Sequence, residues 1–225
     1  SFSKFNNRFK YYIFNILLGI SLMTKHILMF FPIWAAIKEK KFLNKIYYII
    51  PYLLFIVAFL PFVPHIEIAF NELNHNANNN YPFWSIFTPR FFGNYIGYRN
   101  LFIISLLLMG LILEKRNLIE SYYLYLIALV VFAPGISNQY LCIPVVAIAF
   151  FWNRFFFLYT LAATLFYLVD NIALNIEWLQ ELSSWTKHKR DIGFKIIIFF
   201  LTLGLFQEIF TKKKFDKIFI NIFNY

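Results

Sequence analysis

Lys25 is the residue of this sequence best placed to carry chemistry, because it lies in a polar turn, Thr24-Lys25-His26, between two apolar runs. A charge at membrane depth costs about 2.5–3.5 kcal/mol on insertion scales and usually has a partner. An anionic phosphate is a natural partner for an ammonium group, so Lys25 is a candidate for binding a phosphate-bearing substrate. The alternative interpretation is that Lys25 extends its side chain to the membrane surface and has no further role.

A second polar group, Asn138, Gln139 and Tyr140, follows Pro134-Gly135 within another apolar run. A Pro-Gly pair interrupts regular structure. The three polar side chains then stand at the beginning of a predicted helix, and the N-terminus of a helix favours anions. The pattern indicates a candidate binding turn, with a plain polar hairpin turn as the alternative.

The composition is that of a protein embedded in a membrane. Apolar residues make up 60% of the chain and charged residues only 14%, whereas soluble domains average roughly 25% charged residues. The formal charge of +10 would suggest a nucleic-acid partner in a soluble protein, but here Lys and Arg form short clusters between apolar runs, which is the pattern that orients membrane proteins. We therefore expect the lipid bilayer and no nucleic acid as a partner. Cys142 is the only cysteine and the four histidines lack metal-ligand spacing, so we expect no disulfide, metal or cofactor.

The apolar runs predict an all-α, polytopic integral membrane bundle that forms a single transmembrane domain over residues 1–225. A spanning helix needs about 20 apolar residues. Two runs, 11–37 and 121–152, are longer than this and are interrupted by the two polar turns, so each is predicted to be a hairpin of two short helices. About eight transmembrane or half-membrane helices result, at residues 11–24, 26–37, 46–63, 96–113, 119–133, 139–152, 155–174 and 192–210.

The basic residues predict the orientation of these helices. Fourteen of the 21 Lys and Arg residues fall on one side of the predicted topology, which the positive-inside rule makes cytoplasmic, with both chain ends on that side. The opposite face receives the two hairpin turns, a loop from about 64 to 95 and a loop over 175–191, and the aromatic stretch 81–84 is predicted to lie on the membrane surface. The expected location is the prokaryotic plasma membrane, or the endoplasmic reticulum of a eukaryote.

At its two hairpins the sequence resembles the GT-C superfamily, multi-spanning glycosyltransferases that use polyprenyl-phosphate sugars. The first matching stretch is 18–26, a helix with Gly19 and a lone Lys25, followed by an apolar run to Pro32 and the basic cluster 38–41. The second, 132–144, is similar to the Pro-Gly…Gln-Tyr…Pro type of stretch in polyprenol-dependent mannosyltransferases. In many members Leu-Trp follows the Tyr, whereas Leu-Cys follows Tyr140 here.

The resemblance implies a transferase that moves a hexose from a polyprenyl-phosphate donor to a lipid-linked or surface glycan, with mannose as the first choice of sugar. It implies that Lys25, His26, Asn138, Gln139 and Tyr140 bind substrate. The catalytic residue of the family is usually an Asp in the first extracytoplasmic loop, upstream of anything seen here. The chain begins Ser-Phe-Ser-Lys, without Met, and we interpret it as the C-terminal portion of a longer protein, so the catalytic residue itself stays unidentified.

Two other functions stay open at this point. The first is an O-antigen-polymerase-like protein or a lipid-linked-glycan flippase, both of which are multi-spanning and aromatic-rich. A polymerase is expected to carry Arg-rich outer loops, whereas the long loop has only Arg90 and Arg99 near its end. A flippase needs charges that line a central cavity, and few charges lie within the predicted helices. The second alternative is a membrane scaffold without enzymatic activity, which predicts that Lys25 and Gln139 lie far apart.

Overall fold

The computed structural model describes residues 2–24, 26–67, 82–87, 96–135, 138–151, 153–170 and 177–210. This part of the chain is helical, which confirms the predicted all-α class. Short 3-10 helices lie at His26–Leu28 and Asn138–Cys142. The helices are α1 (Phe2–Thr24), α2 (Phe31–Lys38), α3 (Phe42–His65, with 3-10 stretches at Tyr47–Ile49 and Leu60–His65), α4 (Pro82–Phe87), α5 (Tyr98–Ile112), α6 (Leu118–Phe132), α7 (Ile143–Ile148), α8 (Arg154–Asp170) and α9 (Glu177–Phe210).

The last helix is longer than the sequence analysis predicts. The stretch 175–191 is predicted to be a loop, but α9 begins at Glu177 and continues without a break to Phe210. The prediction is wrong because it searches for uninterrupted apolar runs. Trp178, Leu182 and Trp185 recur at intervals of three and four residues, which is the period of a helix with one apolar side. At 1.5 Å per residue, the 34 residues of α9 extend about 51 Å.

The first three helices alternate in direction. Tyr11, the tenth of the 23 residues of α1, stacks on Tyr47 near the beginning of α3, with ring centroids 6.2 Å apart. Further along, Gly19 of α1 lies against Leu54 of α3. The two helices are therefore parallel neighbours. The hydroxyl of Tyr11 also donates to Glu39, directly after α2, so α2 returns antiparallel to α1.

α6 is the central helix of the described part, since it packs on α2, α4, α5, α7 and α9. Its residues 124–128 are buried. Tyr125, Phe31 and Trp34 are fully buried, and the rings of Phe31 and Trp34 meet the Tyr125 ring edge-on, with centroids 5.6 and 5.0 Å away. The core is thus built around α6 and the short helix α2 that packs against it.

α8 and α9 form an antiparallel pair whose approach depends on two glycines. A Cβ atom on Gly204 would lie 2.3 Å from the Phe156 ring, and one on Gly193 would lie 2.5 Å from the Phe166 ring. Contacts this short between carbon atoms are repulsive, so a larger residue at either position would push the helices apart.

One end of the helices, here called the Lys38 end, is held together by polar contacts. The Lys38 ammonium group donates to the backbone carbonyl of Leu113, to that of Glu114 at 3.1 Å and to that of Arg116 at 2.8 Å. These carbonyls lie at and just beyond the C-terminus of α5. A cation is stabilised there because the helix dipole is negative at that terminus.

The same end joins two further helices, α8 and α9. Arg116 donates to the backbone carbonyl of Glu208 in α9 at 2.9 Å. The Asn153 side chain donates to the Glu208 carboxylate at 3.0 Å and accepts from the backbone N–H of Phe156 at 2.9 Å, which caps the N-terminus of α8. Asn153 and Glu208 are buried. The structure therefore gathers at one end Lys38, Arg116 and the chain beside Arg154, which the charge pattern places on one side of the membrane.

Two helical stretches are long and apolar enough to cross a membrane, α3 (Phe42–His65) and the Ile192–Phe210 part of α9. Most apolar side chains of α3 point away from the core. Shorter apolar helices, which coincide with further predicted spans, are Phe9–Thr24, Tyr98–Ile112, Leu118–Phe132 and Arg154–Leu168.

Candidate functional site

The chain breaks at the first predicted hairpin turn. α1 ends at Thr24, the 3-10 helix His26–Leu28 follows, and α2 begins at Phe31 with Pro32 in its first turn. An uninterrupted helix over 12–36 would have contradicted the hairpin, so the break is confirmed. Lys25 lies outside the described residues, as does the side chain of His26, and their role in binding substrate stays a prediction.

Two tyrosine hydroxyls fix the position of this turn along the neighbouring helices α3 and α6. The Tyr125 hydroxyl donates to the backbone carbonyl of Ile27 at 2.7 Å and accepts from the backbone N–H of Phe30 at 3.3 Å. The Tyr52 hydroxyl donates to the carbonyl of Met29 at 2.6 Å. Tyr125 is the eighth of the 15 residues of α6, and Tyr52 is the eleventh of the 24 residues of α3.

Residues 27–30 therefore lie about halfway along two neighbouring helices. These contacts fix the turn relative to the helices and not relative to a membrane, so its predicted place near the outer surface stays a prediction. The position along the helices follows from the length of α2, whose eight residues extend only about 12 Å. Since Lys38 is tied to the end of α5, a helix this short places its other end in the interior of the assembly.

The N-terminus of α2 lies at this turn, and a helix N-terminus favours an anion. No side chain caps the N-terminus of α2, and Pro32 has no N–H. Trp34, one turn further on, donates its indole N–H to the carbonyl of Leu106 at 2.9 Å and holds the helix in this position. A helix N-terminus carries a partial positive charge, which adds to the charge of any nearby cation.

The second hairpin turn is also present. α6 ends at Phe132, Ala133 has left the helical conformation, and the chain resumes as the 3-10 helix Asn138–Cys142 before α7. The carbonyl of Leu141 accepts a hydrogen bond of 2.5 Å from the Tyr159 hydroxyl of α8. The rings of Tyr123 in α6 and Phe150 after α7 stack with centroids 4.2 Å apart, so the two arms are antiparallel.

The predicted binding residues of this turn are described in part. Tyr140 is half-buried and packs against the core. The backbone of Asn138 and Gln139 lies in the 3-10 helix, while their side chains lie outside the described residues. Their contact with substrate stays a prediction.

Both turns are attached to α6. The first is held by Tyr125 and the second begins directly after Phe132, seven residues later on the same face of the helix. This spacing corresponds to about 10 Å along the axis. The geometry thus attaches both turns to one helix, although it does not include the side chains predicted to meet substrate.

The aromatic helix α4 occupies the end of α6 beside the second turn. The stretch 81–84 is predicted to lie on the membrane surface, but Phe83 and Trp84 are only 8% and 5% exposed. The indole N–H of Trp84 donates to the carbonyl of Phe132 at 3.0 Å, and the Phe83 and Phe132 rings meet edge-on at 4.9 Å. The prediction is wrong for these two residues because the C-terminal carbonyl of α6, which has no partner within its own helix, offers the indole a partner inside the assembly.

Sequence reasoning missed the tyrosines that position the turns. Each of these tyrosines lies within an apolar run, and its partner is a backbone carbonyl distant in sequence; they are Tyr52, Tyr125 and Tyr159. Asn153 could have been found, because an Asn directly before a helix with a free first turn is the usual N-cap pattern.

Comparison of the chain with models of protein families, with curated proteins and with solved structures found no match.

Proposed function

We propose that this chain is part of a membrane glycosyltransferase that transfers a hexose from a polyprenyl-phosphate donor to a lipid-linked or surface glycan. Mannose is the first choice of hexose. The observation that carries the proposal is the break between α1 and α2, which coincides with the lone lysine of the GT-C-like stretch and lies beside residues held halfway along α3 and α6. A lysine at the depth of these neighbouring residues would require an anionic partner. The phosphate of a lipid-linked sugar is that partner in this proposal.

The role of Lys25 follows from the charge that the reaction develops. The acceptor hydroxyl oxygen forms a bond to the anomeric carbon, the bond from that carbon to the phosphate oxygen breaks, and the hydroxyl proton passes to a general base. The resemblance implies an upstream Asp as that base. Negative charge grows on the departing polyprenyl phosphate, where the Lys25 ammonium group and the N-terminus of α2 would stabilise it.

The proposal includes a multi-pass topology with the Lys38 end in the cytoplasm and both ends of the chain on that side. Support comes from the exposed basic residues of this end, whereas the buried Glu208 is used in internal contacts. The exposed basic residues are Lys10, Lys40, Lys41, Lys45, Lys115 and Arg154. The donor and acceptor would then be handled on the opposite side of the membrane.

Cysteine labelling in intact cells tests the topology. In a Cys142→Ser background, Asn76→Cys should react with an impermeant maleimide from outside, and Lys213→Cys should react only after the membrane is opened. Equal protection of the two positions would contradict the topology without bearing on the sugar chemistry.

Binding of a polyprenyl phosphate to the purified protein tests the site. Hydrogen bonds that involve a charged group contribute about 1.5–3 kcal/mol, so Lys25→Ala should weaken binding about 10- to 100-fold. Lys25→Arg should retain part of the affinity, since it keeps the charge while changing the shape. Lys115→Ala, which removes an exposed lysine at the Lys38 end, is the matched control and should bind normally. Wild-type affinity in Lys25→Ala would contradict the proposed site.

A further inference from the structure

The connection between α2 and α3 is a fixed turn rather than a loose loop. Lys38 at its beginning is tied to carbonyls at the end of α5. The Glu39 carboxylate accepts from the Tyr11 hydroxyl at 2.5 Å and from the Asn44 side chain at 3.2 Å. The acidic residue of the turn is therefore occupied by two internal donors, and it holds the turn against α1 at Tyr11.

The remaining charges of this turn point outward. Lys40, Lys41 and Lys45 are exposed, and none of them forms an ion pair with a carboxylate among the residues that the structure describes. Between them stand Phe42 and Leu43, which are 76% and 72% exposed. Three ammonium groups around two exposed apolar side chains form a surface with both a charged and an apolar part.

The apolar part continues along α3. Phe42, Ile46, Ile49 and Leu53 follow one another at intervals of four, three and four residues, so they form a stripe on one face of the helix. Each of these side chains is exposed. The lysines stand at the beginning of this stripe, and the stripe leads away from them along a helix that is apolar enough to cross a membrane.

We propose that this surface binds one anionic phospholipid of the surrounding leaflet. The lysines contact the headgroup, and an acyl chain lies along the stripe from Phe42 to Leu53. A lysine near an anionic membrane surface contributes about 1 kcal/mol, which is about fivefold in binding. A nucleic acid or an acidic protein would match the lysines but not the stripe, whereas a phospholipid matches both. The inference is independent of the glycosyltransferase proposal, because it concerns the opposite end of α2.

Quenching of an introduced tryptophan tests this lipid site. Leu53→Trp places an indole on the stripe, and the protein is reconstituted in vesicles of phosphatidylcholine with increasing phosphatidylglycerol, one of the two lipids carrying brominated acyl chains. Subtracting the signal of the protein without this substitution isolates the added indole. We expect phosphatidylglycerol to be preferred at least about fivefold over phosphatidylcholine, as one lysine alone would give.

Charge variants separate this turn from the general charge of the protein. Lys40→Gln, Lys41→Gln and Lys45→Gln together should bring the preference close to one, while the same three positions changed to Arg should keep it. Lys115→Gln with Arg154→Gln removes exposed positive charge from the same end without touching the turn, and should leave the preference unchanged. The proposal is overturned if the unaltered turn shows no preference, if the glutamines leave it intact, or if the control lowers it equally.

Discussion

Replacing Lys38 with Met removes the ammonium group that ties α2 to the end of α5 and keeps most of the apolar stem. The ammonium group donates to three backbone carbonyls, those of Leu113, Glu114 and Arg116. A hydrogen bond from a charged donor contributes about 1.5–3 kcal/mol when it is buried. Because Lys38 is only half-buried, water replaces part of each bond, and we expect Lys38→Met to lower the free energy of unfolding by about 2–4 kcal/mol.

The assay is equilibrium unfolding in mixed micelles, with circular dichroism followed as the fraction of SDS is raised. Lys115→Met is the matched control, since Lys115 is exposed and adjoins the same carbonyls in sequence. Lys38→Arg should lie between wild type and Lys38→Met, because it keeps donors of a different geometry. If Lys38→Met unfolds within about 0.5 kcal/mol of the control, as surface substitutions do, the Lys38 contacts do not hold α2 in place.

Three further substitutions or conditions test the contacts around the site. Burial lowers the pKa of the Lys38 ammonium group from 10.5 to about 8, so between these pH values the unfolded chain binds a proton that the folded chain has released. The melting temperature of wild type, relative to that of Lys38→Met, should therefore rise with pH through this window, and a fall would contradict this expectation. Tyr125→Phe loses both hydrogen bonds to residues 27–30 and should cost about 1–3 kcal/mol, with faster amide exchange at Phe30; unchanged exchange would show that the hydroxyl does not fix the turn. Asn153→Leu removes a helix cap and a partner of the buried Glu208 carboxylate, and should destabilise the protein by about 2–4 kcal/mol in the same unfolding assay, whereas a neutral result would mean that this network contributes nothing.

Local signals in the sequence predict most of the helices and both of the breaks between them. The polar residues around Lys25 and the Pro134-Gly135 pair interrupt apolar runs, and such interruptions are visible without any knowledge of tertiary contacts. Asn117 caps α6 by accepting from the backbone N–H of Glu120, which is also a short-range pattern.

The position of the first turn along α3 and α6 could not be predicted in the same way. It depends on Tyr125 and Tyr52, whose partners are backbone carbonyls that carry no sequence signal. The position of Trp84 is of the same kind, because its indole binds the carbonyl of Phe132, 48 residues away in the chain. Lys38 was counted in the sequence only as one charge among several on one side of the membrane, although its three contacts determine where α2 ends.

Sugar transfer from polyprenyl-phosphate mannose tests the proposed function most directly. Membranes that contain the intact protein are incubated with the tritiated donor, and radioactivity is followed into lipid-linked and surface glycans, beside equal amounts of Lys25→Ala and Lys25→Arg. The proposal predicts transfer by the wild-type protein, loss of most transfer in Lys25→Ala and partial transfer in Lys25→Arg. Transfer that is no greater than in membranes lacking the protein, or equal in Lys25→Ala and wild type, would contradict it.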